Sequence, residues 1–139
     1  SFIEMRGADG GPWRRICALP AFWVGLIYDD KALDAAWEVA KGWTAAQREA
    51  LREDCARRAL AAEIEGRSVR EIAAELVEIA AGGLRRRAMS FGFDIDEVHF
   101  LNVLREVIER GETLSDELLR RFEGEWSGDF APLFTHYSY

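Results

Sequence analysis

From Ile16 to Tyr28 the chain runs for thirteen residues without a single charged side chain. A stretch this apolar must leave water. It is too short to cross a bilayer, which takes about 20 apolar residues in a helix. Ile16, Leu19, Phe22, Trp23, Leu26 and Ile27 surround almost the whole helix circumference, so the segment predicts a helix buried on most sides by other elements. Pro12 suits its first position, where a missing N–H has no helical partner to lose. Pro20 is expected to kink or divide it. Asp29 and Asp30 end it and offer a cap for the next helix.

The remaining pattern is also helical. Lys31 to Lys41 carries Leu33, Trp37 and Ala40 on one side, and Gly42 breaks it. Thr44 with Gln47 has the spacing of a capping box and opens a helix to about Arg57. Ala59 to Gly66 carries no strong signal and reads as a loop. Ser68 with Glu71 is a second capping box, followed by Val69, Ile72, Leu76 and Ile79 at helical spacing. Gly82 and Gly83 are weak helix formers, although the pattern resumes from Leu84 to Met89. After a link at Ser90 to Asp94, Asp96 to Arg110 turns Phe100, Leu101, Leu104, Val107 and Ile108 inward, and Gly111 is a stop. Ser115 is expected to cap a helix with Leu118, Leu119, Phe122 and Trp126 on its apolar side, and Pro132 to start a short terminal one.

Ahead of the apolar helix, Ser1 to Arg6 has the character of a strand, and Gly7 to Gly11 that of a turn. Strand side chains alternate, so Glu4 and Arg6 project from one face and Ile3 and Met5 from the other. A carboxylate beside a guanidinium suits a site that holds a metal ion and an anionic substrate, and it equally suits an ion pair on an exposed sheet face. Asp9 could ligate a metal, or bond its own backbone in the turn. Trp13 could wall a pocket or pack as core. A lone strand lacks a partner, so the chain reads as a fragment of a larger protein. The whole is expected to be mostly α, about six helices with one N-terminal strand.

Composition narrows the function. The 139 residues fit one domain, 49 % hydrophobic, with a net charge of −7 and a pI near 4.9. That balance argues against nucleic-acid binding and against docking on anionic lipid. The arginine clusters at 14–15, 57–58, 85–87 and 120–121 read as solvated helix surface with some dipole complementarity. Cys17 and Cys55 form neither a disulfide framework nor a zinc spacing, with Cys17 expected in the core and Cys55 among charges. A reducing cytoplasm is the expected compartment. His99 reads as an ordinary helix residue, and no P-loop or nucleophile–histidine arrangement is present.

The stretch from Phe2 to Asp29, with Glu4-Met5-Arg6-Gly7-Ala8-Asp9-Gly10-Gly11-Pro12-Trp13-Arg14-Arg15 at its centre, resembles the signature region of the glutamate–cysteine ligase family, plant and proteobacterial type. Phe100-Leu101-Asn102, Gly124-Glu125-Trp126 and the ending from Pro132 to Tyr139 are similar too. The resemblance implies a C-terminal part of that enzyme, residues 1–139 forming one helical region with 1–6 a strand of a truncated catalytic sheet and 12–139 helical. It implies a glutamine-synthetase-like α+β fold in the complete enzyme. The implied reaction joins the γ-carboxylate of glutamate to the amine of cysteine through a γ-glutamyl phosphate, with ATP and Mg²⁺, as the first step of glutathione synthesis. Glu4 would be a metal ligand, Arg6 a catalytic and substrate-binding clamp, and Trp13 a substrate-pocket wall. The 139 residues alone are expected to be inactive and prone to self-association. The alternatives are a non-catalytic helical interaction module on the same scaffold, and a related carboxylate–amine ligase with another amine acceptor.

Overall fold

A computed structural model describes residues 11–137. The proposed strand at 1–6, with Glu4 and Arg6, and Asp9 in the turn lie outside the described residues. Within them the chain forms seven α-helices and one small hairpin: α1 (Trp13–Ile27), α2 (Asp30–Ala40), α3 (Ala45–Arg58), β1 (Glu63–Ile64), β2 (Arg67–Ser68), α4 (Val69–Phe91), α5 (Asn102–Arg110), α6 (Leu114–Glu123) and α7 (Ala131–His136). Single 3₁₀ turns at Ala59–Ala61 and Val98–Leu101 lead into the hairpin and into α5. The mostly helical expectation holds, with seven α-helices in place of about six.

Three of these helices begin as capping boxes. Thr44 with Gln47 opens α3 and Ser68 with Glu71 opens α4, as their spacing predicts. The third corrects the reading of Ser115. Thr113 is the cap of α6, its hydroxyl accepting from the Asp116 N–H at 3.2 Å while the Asp116 carboxylate accepts from Thr113 N–H at 2.9 Å. The aspartate at the third helical position does the task usually given to Glu or Gln. Gly92 and Gly111 end α4 and α5 in the left-handed region, at φ 68° each.

The hairpin replaces the loop expected at 59–66. Glu63 pairs with Ser68 and Ile64 with Arg67, and the connecting Glu65 and Gly66 both take positive φ, 50° and 78°. Two positive φ values make the primed turn whose twist suits a tight hairpin. A Glu-Gly pair is a weaker turn signal than Asn-Gly, which is why only Gly66 hints at it.

Pro20 does not divide α1, which runs unbroken from Trp13 to Ile27. Pro20 and Ile16, whose carbonyl the ring deprives of its helical partner, both lie on the exposed side. Nor is α1 buried on most sides. Its buried residues are the small Ala18, Ala21 and Gly25, with Leu26, while Trp13 and Ile16 are exposed. The small residues exist for α4. A Cβ on Gly25 would stand 2.9 Å from Ala80 Cα and closer to the Ala80 carbonyl oxygen. A Cβ on Gly83 would run into the Gly25 carbonyl and come within 3.1 Å of Ala32 Cβ. The two backbones therefore touch, and Gly83 earns its place in the middle of a 23-residue helix through packing. Around this crossing Leu26, Val77, Leu84, Val98 and Leu101 form the core, with Leu84 and Leu101 wholly buried.

Ion pairs then tie the outer helices to α4. Asp29 caps α2, accepting from Ala32 N–H at 2.8 Å, and receives Nε and Nη2 of Arg86 at 3.0 and 2.7 Å. Arg87 reaches Glu97 at 3.2 Å and Arg105 of α5 reaches Glu78 of α4 at 2.8 Å. Arg70 donates to the carbonyls of Ile108 and Glu109 at the end of α5, at 2.6 and 2.5 Å. Two of the three arginines at 85–87 thus bridge elements, which corrects their reading as solvated surface.

Two predictions follow from this packing. Gly25→Ala and Gly83→Ala should each lower stability by about 3 kcal/mol or more through overpacking, whereas Gly42→Ala, with open space around it, should change it by less than about 0.5 kcal/mol; urea unfolding of the three variants checks this. The hydrogen bonds from Arg86 hold the Asp29 carboxyl below its ordinary 3.8. On acidification the unfolded chain takes up this proton first, so the contribution is full above that value and is lost as pH falls through the folded pKa. Asp29→Ala should cost about 1 to 2 kcal/mol near neutrality, the scale of a lost cap, and thermal melts at pH 6 and pH 3 should differ less in the variant than in the parent.

Candidate functional site

The region that the sequence marks for function reaches the described structure at Trp13. Pro12, in extended conformation, delivers the chain to α1, and Trp13 opens the helix with 70 % of its surface exposed. It is not a core residue. A cleft of about 390 Å³ lies beside it, walled by Trp13, Arg14 and Cys17 of α1 and by His99, Phe100, Asn102 and Glu106 from the 3₁₀ turn and α5. The geometry follows from helix periodicity: Trp13 and Cys17 are four apart, and His99, Asn102 and Glu106 follow at three and four, so each set lines one face.

One ion pair spans this cleft. Arg14 Nη2 lies 2.9 Å from Glu106 Oε1, joining the first turn of α1 to α5. Both groups are well exposed, so the pair orients more than it stabilises. The His99 ring lies against Phe100 with centroids 4.0 Å apart, and its Nδ1 is 3.3 Å from the Asp96 carbonyl oxygen. Cys17 and Phe100 form a shared wall, for a second cleft of about 250 Å³ opens on their other side, bounded by Pro20, Val24, Leu84 and the Arg87–Glu97 pair. Cys17 and Cys55 are both half-buried free thiols. Burial, with help from the neighbouring Asp54 charge, pushes the Cys55 thiol above its ordinary 9.0.

Of the proposed site residues, then, the structure describes only Trp13, and it brings Trp13 together with groups not singled out for function. His99, read as an ordinary helix residue, sits in the cleft. The usable signal was the polar face His99–Asn102–Glu106, opposite the apolar face that defines α5. Among the described residues no group of three or more His, Cys, Asp or Glu could hold a metal ion. No helix there is long and apolar enough to cross a membrane.

Comparison with known proteins places the chain in a family. The model of Glutamate-cysteine ligase family 2 matches residues 1–136, and the chain belongs to that family. It is 41 % identical to the chloroplastic glutamate–cysteine ligase of Arabidopsis thaliana over 138 residues, which is 99 % of this chain and 25 % of the relative. The corresponding protein of Nicotiana tabacum is 39 % identical over 99 % of this chain and 25 % of its own length. Chloroplastic glutamate–cysteine ligase A of Oryza sativa subsp. indica is 40 % identical over 99 % of this chain and 27 % of its own length. The chain spans about a quarter of the length of the curated relatives it matches. Their names carry the word chloroplastic, which overturns the expectation of a cytoplasmic location. The expectation rested on two cysteines without a disulfide spacing, a pattern that does not tell one reducing compartment from another.

The shared wall makes a prediction. Phe100→Ala should join the two clefts and let a maleimide reach Cys17 several-fold faster, while Cys55 on α3 keeps its rate as an internal control; labelling followed by peptide mass spectrometry reads both.

Proposed function

We propose that this chain is the C-terminal part of a ligase that joins the γ-carboxylate of glutamate to the amine of cysteine, the first step of glutathione synthesis. The observation that carries this reading is the family match over residues 1–136 together with about 40 % identity to glutamate–cysteine ligases along nearly the whole chain. The relatives' names support a plastid as the compartment.

The proposed route activates the glutamate carboxylate with ATP as a γ-glutamyl phosphate, which the cysteine amine then attacks. Mg²⁺ would supply charge neutralisation on the phosphoryl group. The described residues do not fit such a metal, so the proposal for it rests on Glu4 and on carboxylates in the rest of the family's length. Arg6 is the proposed fork-shaped clamp for a substrate carboxylate or for the phosphoryl oxygens. Trp13, exposed at the mouth of the cleft and two residues after Gly11, is the proposed wall of the amino-acid pocket. The domain reading is one C-terminal helical region with residues 1–6 as a strand of the catalytic sheet. On this reading the 139 residues alone do not turn over, because Arg6 and Glu4 act only against the missing part of the pocket.

Phosphate release with glutamate, cysteine, ATP and Mg²⁺, measured on the full-length gene product, tests the reading. Arg6→Ala and Glu4→Gln should each lower kcat/KM by about a hundredfold or more with the fold intact, and Trp13→Ala should mainly raise KM for an amino-acid substrate. Turnover with another amine but not with cysteine would move the protein to a related ligase. Inertness with every amine would leave a helical interaction module.

A further inference from the structure

A second apolar feature lies away from the cleft at Trp13. Between α1, α4 and α5 runs a groove of about 420 Å³ whose floor is Leu19, Phe22, Ile72, Leu76, Leu104 and Ile108. Four of these, Phe22, Leu76, Leu104 and Ile108, also pack on the buried cluster around Leu84 and Leu101. The groove is therefore a continuation of the core that the described residues leave open. Among the described residues Arg15 is the single charged residue of its lining, and it is half-buried at the end where α1 begins.

We propose that this groove seats an apolar segment from the remaining length of the same polypeptide, with an acidic side chain placed against Arg15. The inference rests on the reading of the chain as part of a longer ligase, and three observations favour this occupant. The curated relatives are about four times as long as this chain, so a body larger than the helical unit adjoins it in them. The lining is continuous with the core rather than an isolated surface patch, as expected of a domain interior divided between two stretches of one chain. The lone cation at one end matches a single carboxylate on an otherwise apolar segment and so fixes its register. A free small molecule would need more polar contacts than one arginine to be held in one orientation.

Hydroxyl-radical footprinting of the full-length gene product tests this without recourse to activity. Phe22, Leu76 and Ile108 should react about tenfold more slowly than in the urea-unfolded polypeptide, close to the buried standards Leu84 and Leu101, at every protein concentration. Arg15→Glu should raise the reactivity of the three while leaving the standards protected. Groove residues that react as fast as the exposed Trp37 would overturn the proposal, and so would protection that vanishes on dilution, which would assign the groove to a second copy. Protection indifferent to Arg15→Glu would overturn the charge pairing. An active full-length enzyme with an unprotected groove would sink this inference and leave the ligase reading standing, whereas an inactive one with a protected groove would do the reverse.

Discussion

The fold depends on one steric fact, that α1 and α4 meet backbone to backbone. Gly25 lies on Ala80, and Gly83 lies on the carbonyl of Gly25 with Ala32 beside it. Nothing larger than hydrogen fits at the two glycines. Close approach brings many backbone and Cβ atoms into van der Waals range, and a few small residues thereby do the packing usually expected of leucines. It also sets where the other elements stand. α2 turns back along α4 because Ala32 enters this crossing and Arg86 grips the cap of α2. α5 lies in the angle that remains, with Leu101 in the core at its start and Arg70 on the carbonyls at its end.

This explains what was legible in the sequence. Capping boxes are local chemistry, so Thr44–Gln47 and Ser68–Glu71 could be placed from spacing alone. Thr113 was passed over because its partner Asp116 is a less familiar member of the same device. Gly82 and Gly83 read as helix weakness when taken by propensity, and the structure shows a helix stabilised by what Gly83 permits. Propensity is a statement about an isolated segment, and here the tertiary contact overrides it. The apolar run in α1 misled in the opposite sense. Its large side chains suggested burial all round, yet the helix is buried along Ala18, Ala21 and Gly25, and several of its large residues face clefts or solvent.

Of the cleft beside Trp13, only one wall was legible in the sequence. Trp13 was marked by its neighbours in sequence, and it does stand at the mouth of a cleft. Its companions His99, Asn102 and Glu106 come from a segment some ninety residues away, and no spacing rule connects them with α1. Only the periodicity of the 3₁₀ turn and α5 carried the information, since a segment that buries Leu101 and packs Leu104 against the core must turn His99, Asn102 and Glu106 elsewhere. Compartment was not legible at all, because cysteine count senses redox conditions and the word chloroplastic belongs to the relatives' names.

The electrostatics of the described residues bear on why the helical unit should serve a larger site rather than be one. Its strong ion pairs, Asp29–Arg86, Glu78–Arg105 and Arg87–Glu97, each join two elements, and in the first two the arginine holds the carboxyl below its ordinary pKa. Carboxylates held in this way stay ionised, which makes them poor proton donors, and stay occupied by an arginine, which competes with any metal ion for the same oxygens. Arg14 and Glu106 likewise face each other across the cleft at Trp13. Charge in this unit is committed to orientation, and the carboxylate and guanidinium proposed for chemistry, Glu4 as metal ligand and Arg6 as clamp, precede α1 in sequence. A close-packed crossing at Gly25 and Gly83 behind a first turn oriented by Arg14 and Glu106 is a suitable anchor for such a pair, because a reacting group placed about 1 Å away from its proper position loses much of its effect.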